Sequence, residues 1–227
     1  MERKTSIQRA TKLINQGVDV RDPMKLDIRG SLECGKNVKI DTNVIIEGDV
    51  KLGDNVKIDP NCIIKDSVIG SDTKIQANSM VETANIGKFC LIGPYARIRP
   101  GTELKDHVQI GNYVEVKAAK IGAGCKINHL SYIGDAILEK NVIIGAGTIT
   151  CNFDGIKNND TYIENGAFIG SSVQLVAPVR VGKNAIIGAG STITENVPAN
   201  ELTIARSRQI VLKGKKNLDK ANKGLNK

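Results

Sequence analysis

The chain has 227 residues, a formal net charge of +8, 3% aromatic residues and no Trp. The charge lies at the ends, +7 from residue 206 onward and +3 before residue 30, so residues 30–205 carry −2. That leaves no folded basic face with stacking rings of the kind that holds nucleic acid, and no apolar run is long enough to span a membrane.

No secretory leader is evident, so a cytoplasmic protein is expected. The five cysteines, at 34, 62, 90, 125 and 151, show no CxxC spacing. They are expected to be reduced core or corner residues, without disulfide or metal roles.

In chain order, residues 2–17 are predicted as an amphipathic helix with Ile7, Ala10 and Ile14 on one face, Leu13 beside them, and Gly17 as the stop. With residues 18–24 it forms an arm, 1–24, that either caps the domain after it or continues from a preceding one. From Ile40 to Ile193 an aliphatic residue then returns every sixth position: Ile40, Ile46, Leu52, Ile58, Ile64, and so on to Val181, Ile187 and Ile193. Four steps are of five residues, and one long break follows Thr150. A period of six fits neither a helix nor a strand. It is the hexapeptide of a parallel β-helix, in which about three units close one coil and the aliphatic residue points inward. A compact residue four places later, as in Val44, Val50, Val56, Cys62, Thr73, Ser79 and Cys90, is expected at the corners. The predicted fold is therefore all-β, a β-helix over 25–205, with a short N-terminal helix and a basic tail over 206–227.

Gly30 to Ala84 reads as plain ladder, and reactive residue types appear outside the coils from Ile92 onward. Arg99 and Lys117 are 18 residues apart, one full coil, and so are expected to stack as two cations suited to a phosphate. His129 falls on another face of the coil. It could meet that pair only around an edge or across a groove between subunits.

These stretches carry a resemblance. Arg21-Asp22-Pro23, residues 40–48, Arg99-Pro100-Gly101, the run Asn128 to Asp135, the run Gly145 to Gly155 and Leu175 to Val179 closely resemble the C-terminal acetyltransferase domain of the bifunctional N-acetylglucosamine-1-phosphate uridylyltransferase/glucosamine-1-phosphate N-acetyltransferase family. The resemblance covers about residues 3 to 210. It implies a left-handed β-helix, a homotrimer with sites between subunits, and acetyl transfer from acetyl-CoA to glucosamine-1-phosphate, a step toward UDP-N-acetylglucosamine for peptidoglycan and lipopolysaccharide.

By the same resemblance His129 is the general base. Arg99, Lys117, Tyr132 and Asn152 contact the sugar phosphate, with Asn152 also at the acetyl group, and Ala146, Phe153, Ser171, Ala189 and Arg206 line the acetyl-CoA groove. No metal is implied here, since Mg²⁺ would belong to the uridylyltransferase half, which this sequence does not contain. Two positions depart from the family pattern: Ile143 stands where Asn is usual, and Ile156-Lys157-Asn158-Asn159 shifts a basic residue by one place. These keep open a hexapeptide acyltransferase with another acceptor, or an inactive trimeric scaffold. Leu212 to Lys227 is expected to be a solvated end, with a sharper alternative in which Arg206, Arg208 and Lys213 face CoA phosphates of a neighbouring subunit.

Overall fold

The computed structural model describes residues 2–211, with side chains from Ser6 onward; the segment Leu212 to Lys227 lies outside the described residues. Apart from α1 (Glu2–Asn15) and a 3-10 turn at Pro23–Lys25, every regular element is a strand. All strand pairs are parallel: Lys39–Ile40 pairs with Lys57–Ile58, which pairs with Lys74–Ile75 one coil further on. Strands this short have no stability alone. Stacked in about ten turns they satisfy one another's backbone groups, which makes the chain a parallel β-solenoid. Eleven strands make one face. The other two faces are continuous through Leu26–Cys34 and Val44–Leu52, which run round a corner.

Every predicted inward aliphatic position from Ile40 to Ile193 is buried. The compact residues four places on are buried as well, so each hexapeptide supplies two core side chains. The corner is made by the residue just before the compact one. Asn43, Asn55, Asn61, Asp72 and Asn78 all take left-handed backbone, with φ between 58 and 62°. Asn and Asp tolerate that region because their short polar side chains bond locally. They also bond along the stack: Asn43 Nδ2 donates to Asn61 Oδ1 (3.1 Å), and Asn61 Nδ2 to Asn78 Oδ1 (3.2 Å).

The helix departs from expectation in its rotation. Ser6, Ala10 and Leu13 are buried, whereas Ile7 is half-buried and Ile14 exposed. The reason lies in what α1 covers. The strand Leu26–Cys34 has an open edge, and Ser6 Oγ closes it by accepting from Ile28 N–H (2.9 Å) and donating to the Leu26 carbonyl (3.2 Å). Arg9 Nη1 adds a bond to the Ile28 carbonyl at 3.0 Å. An isoleucine in the place of Ser6 could not do this, so the contact stripe turns by one residue and α1 acts as a cap.

All five cysteines are free. Burial pushes the thiols of Cys34, Cys62 and Cys125 up to about 11, so they stay protonated and unreactive near neutral pH.

After Ile144 the inward position passes to Thr150, whose Oγ1 accepts from Gly134 N–H (2.8 Å) and donates to the Gly134 carbonyl (3.0 Å). The chain then leaves the coil and rejoins it at Thr161–Ile163, paired with Ala136–Leu138. The long break seen in the periodicity is this excursion.

Candidate functional site

The sequence-predicted residues fall into two groups on either side of the corner at Leu130. The first is a column. His129 ends the strand Lys126–His129, whose register with Ile143–Ile144 brings Ala146 beside it on the next coil. Successive registers continue from Ala146 to Ser171, from Ser171 to Ala189, and from Ala189 to Ala205. Backbone bonds hold the same alignment: Gly147 N–H to His129 O, Ser172 N–H to Ala146 O, and Gly190 N–H to Ser171 O. At about 4.8 Å per coil, four steps give a column roughly 19 Å long of small side chains on the outside of the coils. His129 stands at its foot. Arg206 stands at its head, its Cδ passing beside Gly190.

An apolar wall runs beside this column. Ile143, Phe168, Ile186 and Leu202 are register partners on successive coils, and each is between 41 and 61% exposed. Ile143, the departure from the family pattern, is the lowest member of that wall. Below His129 the same face continues into a shallow depression of roughly 470 Å³ lined by Leu91, Tyr95, Asn112, Tyr113 and His129. His129 is exposed, and its Nδ1 lies 2.7 Å from Asn112 Oδ1.

The second group is a patch on the adjoining face. Arg99 and Lys117 do stack one coil apart, as their spacing requires, since Ile98 is the register partner of Val116. Each cation is nonetheless matched by a carboxylate: Arg99 Nη1 to Glu115 Oε1 at 2.7 Å and Lys117 Nζ to Asp135 Oδ2 at 3.2 Å. The hydrogen bond to Glu115 raises the Arg99 pKa above its ordinary value. Asn152 Nδ2 bonds the same Asp135 oxygen and lies 3.4 Å from the Tyr132 hydroxyl. The Tyr132 ring folds across Gly134, where any side chain would overlap its hydroxyl.

The structure thus brings Arg99, Lys117, Tyr132 and Asn152 into one patch, together with Glu115 and Asp135, which sequence reasoning did not single out. Counting by coils does not reach Asp135: the five-residue step from Val116 to Ile121 shortens this coil to 17 residues, so the register partner of Lys117 is Gly134, and Asp135 lies one place beyond it. The structure separates His129 from the patch, on the far side of the Leu130 corner. It also separates Phe153 from the column, on a small hairpin where Phe153 bridges Asn158. That hairpin is pinned by Asp154, which accepts from the N–H groups of Ile156 (2.8 Å) and Lys157 (2.9 Å) and from Asn159 Nδ2 (2.8 Å). Lys157 N–H leads the causes that hold the Asp154 carboxyl down at about 2.

Among the described residues, no three His, Cys, Asp or Glu side chains group closely enough to hold a metal ion. No helix there is long and apolar enough to cross a membrane.

Comparison with known proteins agrees with the repeat. Family profiles match for the GMPPB C-terminal domain over residues 28–121 and for Bacterial transferase hexapeptide (six repeats) over residues 160–195. Among curated proteins, the Bifunctional protein GlmU of Nitrosospira multiformis is 52% identical over 94% of this chain and 46% of its own length. That of Methylococcus capsulatus is 53% identical over 98% of this chain and 49% of its own. The chain spans about half the length of the curated relatives it matches. Among solved structures, the Francisella novicida UDP-N-acetylglucosamine acyltransferase aligns at 20% identity and a TM-score of 0.38, over 83% of this chain and 65% of that one.

Proposed function

This chain is a homologue of the C-terminal, hexapeptide-transferase half of the bifunctional GlmU proteins, and on that premise we propose that it transfers the acetyl group of acetyl-CoA to the 2-amino group of glucosamine-1-phosphate. The observation that carries the reading is the column. His129, Ala146, Ser171 and Ala189, picked out by resemblance alone, align on successive coils beside an exposed apolar wall. The small residues of the column and that wall suit an extended acyl-pantetheine arm. Arg206 at the far end suits CoA phosphate.

In this mechanism a free 2-amino group attacks the thioester carbonyl. Amines of this type have a pKa of about 8, so a positioned base is needed to take the proton as the C–N bond forms; such a base contributes about 10² to 10⁴ in rate. His129 is that base. The tetrahedral adduct collapses with loss of the CoA thiolate, which leaves N-acetylglucosamine-1-phosphate, and no covalent acyl-enzyme forms. Arg99 and Lys117 hold the sugar phosphate. Because Glu115 and Asp135 balance their charge, the patch is poorly suited to a bare dianion and better suited to an acceptor carrying both amine and phosphate. His129 and the patch lie on different faces, so one working site takes the column from one copy and the patch from another. A cytoplasmic homotrimer satisfies this.

The test is release of CoA thiol from acetyl-CoA with glucosamine-1-phosphate, beside glucosamine-6-phosphate. Turnover is expected only with the 1-phosphate, and His129→Ala should lose about 10² to 10⁴ in kcat. Turnover with neither sugar, or an undiminished His129→Ala enzyme, would overturn the reading.

A further inference from the structure

We infer that Asn112 is a positioning residue that fixes the tautomer of His129 and so decides which ring nitrogen can accept the proton. The inference deepens the transferase reading and rests on it for its catalytic meaning.

Asn112 and His129 are register partners on the strands Gln109–Asn112 and Lys126–His129. Both backbones are held in place. The Asn112 carbonyl accepts from Leu130 N–H at 3.0 Å, and the His129 carbonyl accepts from Ser131 Oγ at 2.8 Å and from Gly147 N–H at 3.2 Å. The side chains thus stand one coil apart and meet at 2.7 Å, Nδ1 to Oδ1. An amide oxygen can only accept. A neutral imidazole has one N–H, so the contact places that hydrogen on Nδ1 and leaves the Nε2 lone pair free. Nothing competes for Nε2: among the described residues it has no hydrogen-bond partner, and the ladder neighbour on the opposite side is Ala146, a methyl group.

The choice of a neutral acceptor matters as well. A carboxylate at position 112 would orient the ring equally well but would favour the imidazolium. A protonated ring cannot serve as a base. Asn orients without charging.

Nitrogen chemical shifts of histidine-labelled protein read the tautomer directly and require no substrate. The chain has two histidines, His107 and His129, so His129→Ala assigns the spectrum. At pH 8 the wild-type ring should show N–H at Nδ1 and a bare Nε2. In Asn112→Leu the equilibrium should move toward N–H at Nε2, with kcat falling about 10- to 100-fold while both KM values stay within about twofold. Asn112→Asp should keep the Nδ1–H tautomer and recover much of kcat, with the acid limb of its pH profile displaced to higher pH because the imidazolium is stabilised. An Nε2–H tautomer in the wild type, or an Asn112→Leu protein unchanged in both tautomer and kcat, would overturn the assignment. An Nδ1–H ring in a protein that transfers no acetyl group would uphold it and count against the transferase reading instead.

Discussion

The first coils and the later ones share one interior and differ in their outer columns. Up to Ala84 the corners carry Asn and Asp ladders, such as Asn37 to Asn55 to Asp72. Beyond it the same left-handed corners carry Phe89 stacked on His107, with ring centroids 4.9 Å apart, and Tyr95 stacked on Tyr113 at 5.3 Å, and an Asn ladder returns only at Asn184 to Asn200. Leu130 follows Tyr113, 63% exposed, and then Gly147 and Gly190. The inward Ile, Leu and Val ladder runs through both regions, interrupted only where Thr150 takes the inward position. Because two inward residues per hexapeptide suffice to hold a coil, the outward positions are free to carry structure in one region and chemistry in the other.

Core truncation should treat both regions alike. Ile64→Ala in the early coils and Ile133→Ala beneath the patch, both fully buried, are each expected to cost about 2 to 5 kcal/mol in urea unfolding. Only Ile133→Ala should also lower turnover, since it lies between Tyr132 and Gly134. A cost confined to one region would break the picture of a uniform ladder.

Outward changes should separate the regions. Gly134→Ala makes a side chain overlap the Tyr132 hydroxyl, and the ring must swing out. The acceptor KM is expected to rise about tenfold, equivalent to about 1.4 kcal/mol, with the unfolding midpoint nearly unchanged. An unaltered KM would show that Tyr132 is not held for the acceptor.

The smallest effect belongs to the Asp154 hairpin. Its folded pKa of about 2 lies below the ordinary 3.8, so ionised Asp154 favours the pinned form above pH 3.8, and that contribution is lost as pH falls toward 2. The amide shifts of Ile156 and Lys157 should titrate with a midpoint near 2. A midpoint near 3.8 would mean that their N–H groups are not bonded to the carboxylate.

How much of this could be read from the sequence depends on the same division. The interior takes a large aliphatic residue at every repeat but that of Thr150, so periodicity exposed the coils, and the long gap after Thr150 marked the excursion. The outer columns obey no such demand, and their partners depend on exact coil length. Arg99 and Lys117 are 18 apart and were found by counting one coil. Asn112 and His129 are 17 apart, because the five-residue step from Val116 to Ile121 intervenes, and counting by 18 passes over them. The rotation of α1 was hidden for a different reason. Hydrophobicity favours Ile7, whereas the open strand edge needs the hydroxyl of Ser6.

The central claim is a division of labour, with the donor along the column and the acceptor at the patch. Ala189→Trp tests it most directly, since Ala189 is an exposed residue of the column three coils from His129 and remote from Arg99 and Lys117. A bulky ring on the column there should raise the KM for acetyl-CoA by about tenfold or more, equivalent to about 1.4 kcal/mol, and leave that for glucosamine-1-phosphate within about twofold. Equal increases in both constants, or an unchanged KM for acetyl-CoA, would contradict it.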